Sequence, residues 1–284
     1  MRFFTKWGYY LWSILELLWG VRNRRTLLGI FFSKPSQELK WLDLRASGLM
    51  VAVRSRMDVW SMKEALIDQF YERWGCPIEP DWTVVDIGAA IGEFTLIAAL
   101  EASQGRVLAF EPNPGSVDIL RQNLRANNIN NVTVFHVGVW DKPGEIGLDL
   151  TQGEPLQAQS LQSAHNSNDI AIPVIPLDEL VRVQAEGHVD LLKLDCEGAE
   201  YAILMAAQAD TLGQIDRIVM EYHELDEARS YRKLTPFLEK AGYTITRHAN
   251  PVHENIGYLF AKRVACLSKY HRGVNAGIRD DKPA

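Results

Sequence analysis

The sequence predicts an α/β domain that binds a nucleotide-containing cofactor at the carboxyl ends of its strands. Residues 83–96 are predicted to form a strand, a glycine-containing turn and a helix, because an apolar run ends in an acid and helical spacing follows. A second predicted strand, residues 106–111, also ends in an acid. Two later apolar runs end in Asp195 and in Glu221 with His223. In open parallel sheets, ligands bind beyond such strand ends.

The turn after the first strand predicts which cofactor binds. Gly88 and Gly92 allow a ligand to approach the backbone, and the next helix offers free amides and its positive dipole end. A dinucleotide fingerprint needs a glycine where this chain has Ala90. An acid at the strand end, Asp86, instead suits a cationic or hydroxyl-bearing ligand. We therefore predict S-adenosylmethionine as cofactor, contacted by Asp86, Gly88, Ala89 and Gly92.

Three further residues are predicted to contact the adenosine part of this cofactor. Glu111 follows Asp86 by 25 residues, the position from which an acid accepts ribose hydroxyls. Asn113 follows at the start of the next predicted helix. Gly138 comes after a third strand, residues 132–137, where an adenine ring would lie against the sheet edge.

The remaining predicted elements surround this unit. A short strand and a helix capped by Asp58 precede it, and a hairpin closes the domain. A polar segment, residues 152–168, is predicted to be a long surface loop. The predicted strands outside the central unit are residues 50–54, 145–150, 172–175, 189–195, 217–223, 243–247 and 256–262, and the early helix covers residues 59–74.

The first 34 residues differ in composition from the rest of the chain. The run Trp7–Val21 is almost entirely apolar or aromatic, with a narrow polar stripe of Ser13, Glu16 and Gly20. It is shorter than the roughly 20 residues that span a bilayer. The segment carries a net charge of +5, against −11 for the remainder. Two interpretations stay open: packing on this protein or a second subunit, and peripheral contact with an anionic membrane surface.

The overall composition excludes some functions. A net charge of −6 argues against binding nucleic acid through phosphate neutralisation. Three distant cysteines, without the spacing of a metal site, predict reduced thiols in a cytoplasmic protein. With 284 residues and 47% hydrophobic residues, the chain is long enough for a large buried core.

Five motifs stand together at the predicted strand ends and turns. They are Val84-Val85-Asp86-Ile87-Gly88-Ala89-Ala90-Ile91-Gly92, Phe110-Glu111-Pro112-Asn113-Pro114, Asn127-Asn128 before Asn131-Val132-Thr133, Lys193-Leu194-Asp195-Cys196-Glu197-Gly198-Ala199-Glu200, and Met220-Glu221-Tyr222-His223. As a set they resemble the FkbM-type methyltransferases. Two positions depart from the family's usual pattern: Ala90 replaces an asparagine, and Glu93 stands where an aromatic residue is common.

This resemblance implies a fold, a cofactor and a reaction. The fold is a Rossmann-like α/β domain with a seven-stranded sheet whose last strand is antiparallel. The likeness covers residues 49–263, which leaves an N-terminal helical extension, residues 1–48, and a C-terminal tail, residues 264–284. The implied reaction is S-adenosylmethionine-dependent methyl transfer to a hydroxyl of a sugar, glycan or other small-molecule acceptor.

Methyl transfer to a hydroxyl requires a proton acceptor near the acceptor oxygen. The strand ends offer Asp195, Glu221 and His223, and the polar loop adds His165. Asp195 is also predicted to contact the cofactor. The pKa of His223 is expected to suit proton uptake near neutrality. We predict no bound metal, although the acid cluster leaves open a divalent ion that activates the hydroxyl.

Two other functions are weighed against this interpretation. A nicotinamide-dependent oxidoreductase could have a similar fold, but Ala90 in place of the middle glycine argues against it. A non-catalytic protein could bind a partner through its tryptophan-rich N-terminal helix. The intact set of Asp86, Gly88, Glu111 and Asp195 favours an active enzyme.

Overall fold

The computed structural model describes residues 2–32, 38–148, 160–161, 170–250 and 252–264. The predicted polar loop, with His165, and the predicted tail lie almost entirely outside these residues. Two π-helical turns, Lys63–Ile67 and Leu180–Gln184, continue α3 and α7. The helices are α1 Arg2–Gly20, α2 Arg24–Phe32, α3 Arg56–Met62, α4 Phe70–Trp74, α5 Glu93–Glu101, α6 Pro114–Ala126, α7 Leu177–Glu179, α8 Glu200–Ala206, α9 Ala209–Leu212 and α10 Tyr231–Lys240.

The strands of the described residues form three sheets. They are β1 Lys40–Asp43, β2 Met50–Val53, β3 Thr83–Ile87, β4 Arg106–Phe110, β5 Val132–Phe135, β6 Gly138–Trp140, β7 Gly144–Leu148, β8 Ser160–Leu161, β9 Ile170–Pro176, β10 Leu191–Leu194, β11 Arg217–His223, β12 Tyr243–Ala249 and β13 Ile256–Arg263.

The central sheet has seven strands in the order β12-β13-β11-β10-β3-β4-β5. Its last strand, β13, runs antiparallel to both of its neighbours, whereas the pairs from β11 to β5 are parallel. The predicted seven-stranded, Rossmann-like sheet with an antiparallel last strand is therefore confirmed. Successive residues of β3, Val84 and Val85, belong to the cores on opposite faces. Because β11, β10, β3, β4 and β5 run in the same direction, their carboxyl ends all lie at one edge of the sheet.

A second, four-stranded sheet in the order β6-β9-β7-β8 lies beyond β5 in sequence. The predicted extra strand at residues 145–150 corresponds to β7, and the predicted strand at residues 172–175 lies within β9. A small core of Ile146, Leu148, Ile172 and Val174 holds the sheet together. This sheet brings Gly138, at the start of β6, to the open edge of the main sheet.

The predicted helix at residues 59–74 was wrong in its start and its continuity. Ser55 is the N-cap of α3, and its hydroxyl accepts from the amides of Met57 and Asp58. Asp58 is the third helical residue, and its carboxylate accepts from the Ser55 amide, which completes a capping box. The chain then breaks at Gln69, whose φ of 52° lies in the left-handed region. The helical pieces on either side of this break line one wall of the cavity described below.

The N-terminal helix packs on the protein through its predicted polar stripe. Ser13 is fully buried, and the Glu16 carboxylate lies 3.0 Å from the ammonium of buried Lys63. Leu17, Val21 and Leu27 join the same core as β2 and β3. The extension thus contributes to the core of the main domain. Among the described residues, no helix combines the length and hydropathy needed to cross a bilayer.

Candidate active site

A cavity of about 330 Å³ opens where the parallel strands end. Its size falls in the range typical of small-molecule sites. The structure brings eight of the ten predicted site residues to its lining: Gly88, Ala89, Glu111, Asn113, Gly138, Asp195, Glu221 and His223. It does not bring the other two there: Asp86 is buried within β3, Gly92 is the N-cap of α5, and neither lines the cavity.

The loop between β3 and α5 requires glycine where other backbone approaches it. Gly88 has a φ of 77°, and a Cβ built there would lie 1.9 Å from the carbonyl oxygen of Asp195. The amides of Gly88 and Ala89 donate to the Phe110 carbonyl at 3.0 and 3.1 Å. Ala90 also adopts a positive φ, 46°, which is strained for a residue with a Cβ. The loop is therefore held between the ends of β4 and β10.

Asp86 supports this loop from below. It is fully buried, and its Oδ2 accepts from the Thr95 hydroxyl at 2.6 Å. Its Oδ1 lies 3.0 Å from the Lys193 ammonium, which also donates to the Gly88 carbonyl at 2.9 Å. Burial lowers the pKa of Lys193, but the charges of Asp86 and Asp195 outweigh it and raise the pKa above its ordinary value. Asp86 thus fixes the loop through its neighbours.

Glu111 joins the two predicted cofactor loops. Its Oε2 accepts from the Ala90 amide at 2.8 Å, and its Oε1 accepts from the Asn113 amide at 2.7 Å. Burial raises its pKa to about 7, although these two amides act in the opposite direction. The Asn113 side chain caps α6 by accepting from Gly115 and Ser116. Each oxygen of Glu111 keeps acceptor capacity for a ligand hydroxyl.

Opposite this loop, the cavity wall carries a group of acids. The Tyr71 hydroxyl donates to Oδ2 of Asp195 at 2.8 Å. The Trp60 indole donates to Oε1 of Glu64 at 3.1 Å. Burial, followed by the charge of Asp195, raises the pKa of Glu64 to about 7 and raises that of Glu221 well above its usual range. These carboxyls therefore hold protons at higher pH than exposed acids do.

His223 lies within this group and carries a raised pKa. Its Nδ1 lies 3.3 Å from Glu200, and its Nε2 lies 3.5 Å from Glu197 and 3.6 Å from Glu221. Burial lowers the pKa of the imidazole, but Glu200, Asp195 and Glu197 together raise it to about 10. The expected pKa near neutrality was wrong, because the surrounding acids stabilise the cation. This raised pKa favours the protonated imidazolium at neutral pH.

Asp195, Glu197 and His223 could together hold a metal ion, since one ligand atom from each lies within 4.8 Å of the others. The protonated imidazole would first have to lose its proton. A second such group among the described residues, His188, Asp190 and Asp216, lies outside the cavity lining.

Several cavity residues were not predicted as site residues. Tyr71, Trp60 and Glu64 lie on the broken helical segment, and Tyr71 is 124 positions from Asp195, its hydrogen-bond partner. No local motif marks such a pair. Lys193 and Glu197 stand within the charged motif around Asp195, so that motif was the available signal. Glu93 occupies the position where the family resemblance notes an unusual acid.

The cavity chemistry fits S-adenosylmethionine. Six carboxyl side chains line it against Lys193 and two histidines, His223 and His253. Oε1 of Glu93 is buried and has no hydrogen-bond partner among the described residues. This excess of acid suits a sulfonium and an ammonium group and disfavours a pyrophosphate. The six carboxyls are Glu64, Glu93, Glu111, Asp195, Glu197 and Glu221.

Comparison with known proteins places these motifs in a family. A family model with the description "Methyltransferase FkbM domain" matches residues 86–245, more than half of the chain. The match begins at Asp86 and includes Glu111, Asp195 and His223.

Three characterised relatives are similar over most of this chain. The AMB antimetabolite synthetase AmbE of Pseudomonas aeruginosa is 25% identical over 79% of this chain, which spans 12% of that protein's length. The 31-O-demethyl-FK506 methyltransferase FkbM of Streptomyces tacrolimicus is 25% identical, with 67% of this chain and 83% of the relative aligned. The hexuronic acid methyltransferase AglP of Haloferax volcanii is 25% identical, with 70% and 84% aligned.

Proposed function

Because the chain belongs to the FkbM methyltransferase domain family, we propose that it transfers a methyl group to a hydroxyl oxygen of a sugar or natural-product acceptor. The cofactor of this family is S-adenosylmethionine. Two relatives support the acceptor class through their names, which specify an O-demethyl FK506 and a hexuronic acid. The observation that carries the proposal is a cofactor loop that faces buried carboxyl groups across one cavity.

The chain's own residues divide into two groups in this proposal. The loop from Gly88 to Ala90, together with Glu111, binds the nucleoside part, because the loop lines the cavity and orients the buried Glu111 carboxylate, whose oxygens keep acceptor capacity for ligand hydroxyls. When bound, S-adenosylmethionine supplies a methyl group on a cationic sulfur, and an acceptor hydroxyl takes up that methyl group as its proton leaves. The acidic wall of the cavity stabilises positive charge and receives the proton.

We propose that the carboxylate of Asp195 accepts the proton that leaves the acceptor hydroxyl. The hydroxyl of Tyr71 fixes one of its carboxylate oxygens at 2.8 Å. Glu221 interacts electrostatically with Asp195, since burial and the charge of Asp195 both raise the pKa of Glu221. His223, being protonated, acts as a neighbouring cation that pairs with Glu200 and Glu197 and keeps the acids in place. Its role is therefore electrostatic and positioning rather than that of a base.

Titration of the purified protein with S-adenosylmethionine and, separately, with NAD⁺ tests the cofactor. We expect saturable binding of the first and none of the second. Incubation with radiolabelled S-adenosylmethionine and a panel of sugars, lipid-linked sugars and hydroxylated natural products then tests the reaction. Label that appears as a methyl ether supports the proposal. Binding of NAD⁺, or transfer of label only to nitrogen or carbon atoms, contradicts it.

A further inference from the structure

We propose that the outer surface of α1 and α2 binds an anionic lipid membrane. This surface, called the α1–α2 face, is apolar and exposed: Trp12, Trp19 and Phe32 are 63%, 72% and 85% exposed. More than half of the large exposed apolar side chains of the described residues lie in this short stretch. The members on the α1–α2 face are Leu11, Trp12, Ile14, Leu15, Trp19, Leu28 and Phe32. A patch of this kind marks an interaction surface.

Polar contacts on the inner side of α1 fix which residues face outward. The ammonium of Lys63 is fully buried, 3.0 Å from Glu16 of α1 and 2.5 Å from Asp68. Gly20 lies so close to the domain that an added Cβ would meet Ile67 at 2.9 Å. Rotating α1 to bury its apolar side would leave Lys63 without Glu16. These inner contacts therefore fix the orientation of α1, so that its tryptophan and leucine side chains face outward.

The positive charge beside the α1–α2 face indicates an anionic binding partner. Arg22, Arg24 and Arg25 are exposed at the junction of α1 and α2. Of these three arginines, only Arg22 forms an ion pair within the described part of the chain, with Asp43 at 3.1 Å. Phosphate headgroups complement such a cluster. A second copy of this chain on a two-fold axis would instead bring equal charges together.

The dimensions and side chains agree with a helix lying in the plane of the membrane. α1 is too short in its apolar part to span a bilayer, and tryptophan favours the headgroup region. Apolar residues enter the acyl boundary while the basic junction remains at the phosphate level. This inference is independent of the proposed methyl transfer, since none of these residues lines the cavity.

Co-sedimentation of the full-length protein with vesicles tests the proposal. We expect binding to phosphatidylcholine vesicles that contain phosphatidylglycerol, weak binding to phosphatidylcholine alone, and loss of binding at high salt. Arg24→Glu with Arg25→Glu should weaken binding at least about tenfold. Trp19→Ser with Phe32→Ser should weaken binding to the anionic vesicles at low salt. Bromine-labelled lipids should quench tryptophan fluorescence in the wild-type protein and less in the Trp19→Ser variant.

Two variants elsewhere on the surface serve as controls. Arg121→Glu with Arg125→Glu changes the net charge equally, and Val183→Ser with Met205→Ser removes exposed apolar side chains. Both should bind vesicles as the wild type does, and circular dichroism checks that every variant is folded. Equal binding of all variants, or no binding to anionic vesicles, overturns the proposal. So does sedimentation velocity that shows a dimer lost in Trp19→Ser with Phe32→Ser.

Discussion

The ammonium of Lys193 lies 3.0 Å from the carboxylate of Asp86, and both side chains are buried between β10 and β3. Lys193→Met should lower the free energy of unfolding by about 3–5 kcal/mol, because it leaves a buried charge without its partner. Chemical denaturation measures this loss. Arg106→Met is the control, since its pair with Glu186 is largely exposed and contributes less than about 1 kcal/mol. Equal effects of the two substitutions would contradict the structural role of Lys193.

Tyr71→Phe should slow catalysis without unfolding the protein. The hydroxyl of Tyr71 orients Asp195, and loss of one such hydrogen bond in a buried site should lower kcat roughly tenfold. Affinity for S-adenosylmethionine should change less than about twofold, because Tyr71 lies on the acidic wall. Steady-state kinetics and calorimetric titration separate the two.

Tyr243→Phe provides the matched control for Tyr71→Phe. Its hydroxyl oxygen lies 2.7 Å from the Leu212 carbonyl oxygen and 2.8 Å from that of Ile215, and Tyr243 does not line the cavity. This variant should lose stability and keep its kcat. A Tyr71→Phe enzyme with wild-type kcat would remove Tyr71 from the catalytic assignment.

The stability of the ligand-free protein should fall as pH rises from mildly acidic to mildly basic. Burial raises the pKa of Glu93 from 4.5 to about 8, so the folded protein keeps a proton that the unfolded chain has released. This contribution is fully present below pH 4.5 and is lost as pH rises through about 8. His223 acts in the same direction, because its pKa rises from 6.5 to about 10. Thermal unfolding across this pH range measures the slope.

Glu93→Gln tests how much of this slope comes from one residue. The amide stays neutral at every pH, so the variant should lose less stability than the wild type between about pH 5 and about pH 8. Glu145→Gln, at an exposed position, should keep the wild-type slope. An unchanged slope in Glu93→Gln would show that Glu93 is already ionised in the folded protein.

Ala90→Gly should stabilise the protein. Ala90 has a φ of 46°, where a Cβ costs about 1–2 kcal/mol and glycine has no such cost. After allowance for the greater freedom of glycine in the unfolded chain, a gain of about 0.5–1 kcal/mol remains. Ala207→Gly is the control, because Ala207 has a φ of −65° and should lose stability. Denaturant midpoints measure both changes, and a lower midpoint for Ala90→Gly would contradict strain at Ala90.

The sequence predicted what local patterns determine. The central strand, its glycine turn and the acid at Glu111 follow from period and spacing, and the structure has them where predicted. The direction of the Asp86 side chain did not follow, because its partner Lys193 lies 107 positions further along the chain. The pKa of His223 was misjudged for a similar reason. Three acids from other parts of the fold surround it, and burial alone would have lowered its pKa.

The N-terminal segment shows another limit of pattern reading. Its polar stripe of Ser13, Glu16 and Gly20 resembles the solvent side of an amphipathic helix, yet it faces the protein. Only the buried ammonium of Lys63, 47 positions after Glu16, explains this choice. A helical pattern alone therefore gives the faces of a helix and not their direction.

The family match begins at Asp86, yet Met57, Trp60 and Glu64 already line the cavity. The ring of Trp60 in turn lies 5.6 Å from that of Tyr10 in α1. One wall of the cavity is thus built by residues that precede the span matched by the family model. Substitutions in residues 57–64 would therefore reshape the cavity from outside the matched span. We expect an exchange of this segment between relatives to change which acceptor the protein uses.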